Sequence, residues 1–160
     1  MWNDQKDILR VFNAHGVEYL IVGGHAVSQH AEPRATKDLD VFIRNDASNA
    51  ERVFQALREY GAPLTGLTVD DFRSHPEMTF QIGMDPVRID LLQSIDGVDF
   101  EDAWQRRVES TITTDAIPVH FICLEDLIAN KLASRRTRDL ADLEALRAAA
   151  SSRPPDVQAE

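Results

Sequence analysis

LIVGGHAVSQHAEPRATKDLDVFI, residues Leu20 to Ile43, holds the two features from which the rest of the chain can be read. One apolar run closes on Gly23-Gly24, and a second, DLDVFI, carries Asp38 and Asp40 at alternate positions. Alternation along a strand puts both carboxylates on one face and Leu39, Val41 and Ile43 on the other. Neighbouring carboxylates repel and resist leaving water, so an ordinary core strand gains nothing from them. A hard divalent cation relieves that repulsion best, and Mg²⁺ is the usual choice where phosphates are also bound. A solvated strand end, or salt bridges to Arg34 or Lys37, accounts for the same aspartates equally well, and a three-letter pattern does not decide between the two.

The segment VRIDLL repeats the alternation: Val87, Ile89 and Leu91 form an apolar set, leaving Arg88 and Asp90 on the opposite face. If this strand neighbours DLDVFI, Asp90 joins Asp38 and Asp40 as a third carboxylate, enough to hold two metal ions. The glycine pair sits where a strand gives way to HAVSQHA, a short helical segment ended by Pro33. Without Cβ atoms the backbone can turn sharply there and admit an anion. The N–H groups of the helix that follows suit phosphates.

Outward from this centre, apolar spacing predicts a helix from Asn3 to Ala14, stopped by Gly16, and a buried strand VEYLIV. A second amphipathic helix spans Ala47–Tyr60, capped by Asn45 or Asp46 and stopped by Gly61. MTFQIG and VRIDLL flank MDP as a hairpin, FEDAWQRRV reads as helical, and IPVHFI is a fifth strand. One helix then starts at Leu124 and another runs to about Arg147. Alternating helices and strands with one hairpin predict an α/β (α+β) domain: a mixed sheet of about five strands with helices mainly on one face. A single domain is expected over residues 1–148, with a disordered tail over 149–160.

The 160-residue chain is 43% hydrophobic and 28% charged, enough for one core without disulfides. Its one cysteine, Cys123, fits a reducing cytoplasm, and no apolar run approaches the roughly 20 residues of a membrane helix. The formal charge of −10 repels nucleic acid overall, so an anionic substrate must be caught by local cations or metal. One such island is KLASRRTR: Lys131 lies at the border of the apolar Leu127–Ile128–Leu132 face, where it can reach a phosphate. Arg135 and Asp139 are expected to pair at i,i+4 and simply join helices. His25 reads as a capping or solvated residue, and His30, His75 and His120 lack metal-ligand spacing. Cys123 and Trp104 read as core.

Gly-Gly, a spacer, DLDV and a later RIDLL together resemble the nucleotidyltransferase superfamily that shares the DNA polymerase β catalytic core. Arg34, Thr36, Asp38 and Asp40 match the R-x-T-x-D-x-D string of its bacterial abortive-infection and toxin–antitoxin branch. LEDLIANKLASRRTRDLADLEAL is similar to that branch's helical Lys followed by Arg and D-x-x-D. The resemblance covers Val17 to about Leu146, departs at Gly24 where many members carry Ser, and leaves little room for a separate acceptor domain.

This resemblance implies the nucleotidyltransferase fold and transfer of an NMP from an NTP to an acceptor hydroxyl, with release of pyrophosphate. It implies Asp38 and Asp40 as ligands of both metals and Asp90 as ligand of the catalytic metal and acceptor of the nucleophile's proton. Gly23 and Gly24 would cradle the β- and γ-phosphates, with Arg34, Thr36, Lys37 and Lys131 completing the nucleotide site. Mg²⁺, or Mn²⁺ in its place, is the implied cofactor. RNA, protein or a small molecule are the implied acceptors and a cognate antitoxin the implied protein partner, while the exposed edge strand of a small mixed sheet allows a homodimer. The competing reading is a non-catalytic nucleotide-binding regulator or antitoxin-like subunit. A third carboxylate favours the enzyme, because a binding module does not need one.

Overall fold

The computed structural model describes residues 1–153. Its chain runs α1 (Asn3–Ala14), β1 (Tyr19–Val22), α2 (Gly23–His30), β2 (Leu39–Ile43), α3 (Ala47–Tyr60), β3 (Thr79–Met84) and β4 (Val87–Leu92). It continues through α4 (Phe100–Gln105), β5 (Val108–Ile112), β6 (Ile117–Phe121), α5 (Leu124–Ser134) and α6 (Thr137–Ser152). The strands form one sheet in the order β3-β4-β2-β1-β6-β5. The β2–β4 and β1–β6 pairs are parallel and the other three antiparallel, so the sheet is mixed as expected.

The sequence reading falls one strand short. FEDAWQRRV was expected to be a single helix, but the helix stops at Gln105 and Val108 opens β5. VESTI is an edge strand of alternating half-buried and exposed residues, so it lacks the apolar run that marks an interior strand. Residues 149–152, expected in a disordered tail, instead continue α6 as helix. The rest of that expected tail, 154–160, lies outside the described residues.

Local chemistry accounts for the elements that carry the site. α1 places Gln5, Ile8, Leu9 and Phe12 at i, i+3, i+4 and i+7, and all four are buried. α3 opens on the Asp46 side chain, which accepts from the Asn49 N–H, and closes on Gly61 in the left-handed conformation (φ 89°). Leu39, Val41 and Ile43 of β2 are fully buried with Ile8, Leu9, Val53 and Leu57 in the core. Each such side chain removed from water contributes about 1.5–3 kcal/mol.

Two buried amides tie strand ends together. Asn49 donates to the Glu18 and Arg44 carbonyls and accepts from the Glu18 N–H, joining the start of β1 to the end of β2. Gln5 donates to the carbonyls of Lys37 and Arg88 at 2.6 and 3.3 Å, joining the entry of β2 to the start of β4. Among the described residues no helix is long and apolar enough to cross a membrane.

Candidate active site

Strand register builds the site. Val22 faces Asp40 across β1–β2, Asp40 faces Asp90 across β2–β4, and Gln81 faces Asp90 across β3–β4. Residues directly opposite in neighbouring strands share a face. Asp40 and Asp90 therefore stand side by side, with Asp38 two residues before Asp40, just ahead of β2. The neighbouring-strand condition set on Asp90 by the sequence is met.

Gly23 follows Val22 directly and takes φ 64°, which L side chains rarely adopt. A Cβ there would lie 2.2 Å from Asp40 Oδ2. The bend and the carboxylate are thus packed in contact, and only glycine fits between them. At Gly24 a Cβ would lie 2.7 Å from Thr36 Oγ1. Thr36 fills the space that a serine would need, which gives a steric reason for the missing Ser. The first turn of α2 starts at this corner, with the unpaired N–H groups of a helix N-terminus.

Gly23, Gly24, Arg34, Thr36, Asp38, Asp40, Asp90 and Lys131 all line one cleft of about 560 Å³, together with Gln81, Arg88 and residues of the segment leaving β4. Lys37 does not line it: its side chain is exposed, and its carbonyl is the group held by Gln5. Cations and carboxylates are interleaved across the cleft. Arg88 Nη2 lies 3.4 Å from Asp38 Oδ2, and Arg88 Nε lies 3.0 Å from Asp90 Oδ1. The partner of Asp38 is therefore Arg88, and Arg34 instead reaches Asp142 at 2.5 Å.

Lys131 is buried rather than at a border. Its ammonium lies 2.9 Å from Asp139 and 3.2 Å from Asp142, so its charge is met within the fold although the residue lines the cleft. The expected Arg135–Asp139 pair is replaced. Arg135 ends α5 in the left-handed conformation, and Arg136 pairs with Asp139 at 3.2 Å. The sequence reading treated this region as ordinary helix, but the turn between α5 and α6 displaces Arg135 from the helical register. Burial pushes the Asp139 carboxyl up, but hydrogen bonds from Ser134 and Lys131 and the charges of Lys131 and Arg136 outweigh it and hold the group at about 2. Burial, with a smaller contribution from the chain's N-terminal charge, lowers His25 to about 4, so it is neutral beside the glycines.

Two residues of the site were missed. Gln5 is one: its amide holds both chain entries that lead to the carboxylates, and its signal was a polar residue in the apolar i, i+3, i+4, i+7 stripe of α1. Arg88 is the other; it was placed on the carboxylate face but given no role.

Mg²⁺ is the group that these carboxylates imply. The donors suit it, being hard oxygens on adjacent parallel strands with a cationic side chain already lodged between Asp38 and Asp90. In the rotamers present, no three acidic, histidine or cysteine side chains among the described residues enclose a metal position. Arg88 bridges two of the candidate ligands, so a metal there requires its guanidinium to withdraw.

Comparison with known proteins bears on the same residues. The family of nucleotidyltransferases of unknown function (DUF6036) matches residues 5–151. No curated protein matches the chain. Among solved structures, the lincosamide antibiotic adenylyltransferase LnuA, crystallised with lincomycin bound, is similar with a TM-score of 0.57 and 16% identity, over 93% of this chain and 98% of that one. An antigenic nucleotidyltransferase-like protein from Paracoccidioides brasiliensis gives 0.48 and 16%, over 88% and 72%. At such identity the LnuA likeness speaks to the fold. With the family match spanning both glycines and all three aspartates, the chain belongs to the DUF6036 family of nucleotidyltransferases.

Proposed function

We propose that the protein is a Mg²⁺-dependent nucleotidyltransferase that moves an NMP from an NTP to an acceptor hydroxyl. The acceptor oxygen forms a bond to the α-phosphorus, the bond from that phosphorus to the β-bridging oxygen breaks, and pyrophosphate leaves. One observation carries this reading above the others: Asp40 stands in register with Asp90 while its carboxylate packs against the Gly23 bend. Phosphate-binding backbone and metal-binding carboxylates then meet at one point.

In this reading Asp38, Asp40 and Asp90 hold the metal. When bound, Mg²⁺ supplies positive charge for the α-phosphate and the departing pyrophosphate. Asp90, nearly buried on β4, accepts the proton of the attacking hydroxyl. Gly23, Gly24 and the first turn of α2 present N–H groups to the β- and γ-phosphates, already oriented before the reaction. Arg34 and Thr36 border the same corner and orient the nucleotide. Lys131 acts from within its ion-pair cluster, fixing α5 and α6 against the cleft.

The test is incubation with α-labelled NTP, Mg²⁺ and cell extract. Transfer of label to RNA, protein or a small molecule by the wild type, and its loss in Asp40→Asn, is the expected result. If both proteins bind NTP and both are equally silent, the enzyme reading falls and a nucleotide-binding module remains.

A further inference from the structure

Arg88 stands two residues before Asp90 on β4, on the carboxylate face, and its guanidinium spans two of the three aspartates. The contacts are poor ones. The 3.4 Å approach to Asp38 is long. The 3.0 Å approach of Nε to Asp90 Oδ1 is not aligned as a hydrogen bond, and both atoms are shut off from water with no hydrogen-bond partner. A guanidinium built as a permanent structural pair would present two parallel N–H groups to one carboxylate, as Arg106 does to Asp126 at 3.1 and 2.7 Å. About a third of the Arg88 side chain is exposed, so it has a path out of the site.

We propose that Arg88 is a stand-in cation that occupies the carboxylate site of the nucleotide-free protein and must leave for metal to enter. The inference rests on reading Asp38, Asp40 and Asp90 as metal ligands. Two cations cannot share these carboxylates without strong repulsion. Metal alone must therefore expel the guanidinium toward solvent and the exposed Asp85, with no phosphate to receive it. Metal arriving with an NTP brings phosphate oxygens, which a guanidinium binds well. The two ligands then bind cooperatively, each strengthening the other by the same factor. Arg88 thus keeps the site closed to free metal and opens it to the metal–nucleotide pair.

Mn²⁺ serves as the probe, with protein-bound ion measured by electron paramagnetic resonance, without and with a non-hydrolysable NTP analogue. Wild type, Arg88→Gln, Arg88→Lys and Asp40→Asn are compared as full chains, with circular dichroism to establish folding. Wild type should bind Mn²⁺ weakly alone and at least about tenfold more tightly with the analogue. Arg88→Gln should bind Mn²⁺ alone about tenfold more tightly than wild type, with that coupling reduced by the same factor. Arg88→Lys, which keeps the charge but not the two-carboxylate reach, should fall between them and decides the matter if Arg88→Gln does not fold. Equal or weaker binding by the folded Arg88 variants overturns the proposal while leaving the metal site intact. Mn²⁺ uptake by Asp40→Asn equal to wild type instead overturns the metal-site reading on which the proposal rests.

Discussion

Gly23 and Gly24 sit at one corner but are held for different reasons, and substitution separates them. Gly23 combines positive φ with the Asp40 carboxylate against its Cα, so Gly23→Ala adds about 1–2 kcal/mol of backbone strain and pushes Asp40 out of line. Chemical denaturation should show that modest loss, while nucleotidyl transfer falls at least about a hundredfold. Gly24 is crowded by side chains instead, with Thr36 Oγ1 2.7 Å and Arg34 Nη2 3.3 Å from a Cβ placed there. Gly24→Ser should push Thr36 out of place and lower transfer; steady-state rates of the variant and the wild type test this. The shared face of the aspartates could be read from sequence because strand alternation sets it, and the glycine corner because an apolar run ends there. Arg88 shares that alternation, yet its role depends on which rotamer bridges Asp38, and no pattern of residues encodes that.

Elements hold the site through contacts distant in sequence. α1 contributes Gln5, whose amide satisfies two carbonyls at the entries to β2 and β4. Gln5→Leu leaves those carbonyls unsatisfied and should cost about 1–3 kcal/mol, with a drop in kcat larger than any change in KM. α5 and α6 are joined by the buried Lys131–Asp139–Asp142 cluster. Lys131→Met removes the buried cation shared by Asp139 and Asp142, leaving them to Arg136 and Ser134 and to Arg34, and should destabilise the protein by about 1–3 kcal/mol, read from denaturant midpoints. Asp139 adds a pH dependence. Its folded value of about 2 lies below the ordinary carboxylate value of about 3.9, so its stabilisation is complete above the latter and lost as pH falls toward the former. Thermal melts across that acid range should show this loss in wild type and a flatter profile in Asp139→Asn. Helix faces and caps such as Asp46 and Gly61 were legible because they are local. The β5 edge strand and the α5–α6 turn were not, since one is amphipathic only weakly and the other is set by tertiary ion pairs.

For the whole molecule, the core is a continuous apolar cluster from α1 to α6 that contains none of the three aspartates and meets the cleft at Val22, Leu92 and Ile95. Chelation of divalent ions should therefore abolish transfer while leaving the thermal midpoint unchanged. Saturating Mg²⁺–NTP should raise that midpoint, by about 2.7 kcal/mol of stabilisation at a ligand concentration a hundred times its Kd. Differential scanning calorimetry in the two conditions measures both effects. The class of fold followed from the order of elements, but the neighbour relation of β2 and β4 did not, because β3 and β4 lie far along the chain from β2.

The antiparallel pairing of β1 with β2 has a further bearing on how such a molecule can change over time. The glycine corner and the DxD strand belong to one short uninterrupted span of polypeptide, clamped by its own ladder. Insertions or losses in the C-terminal helices can remodel what is admitted to the reaction chamber without pulling its two chemical halves apart. Inheritance can thus tinker with the doorway while the hearth stays lit.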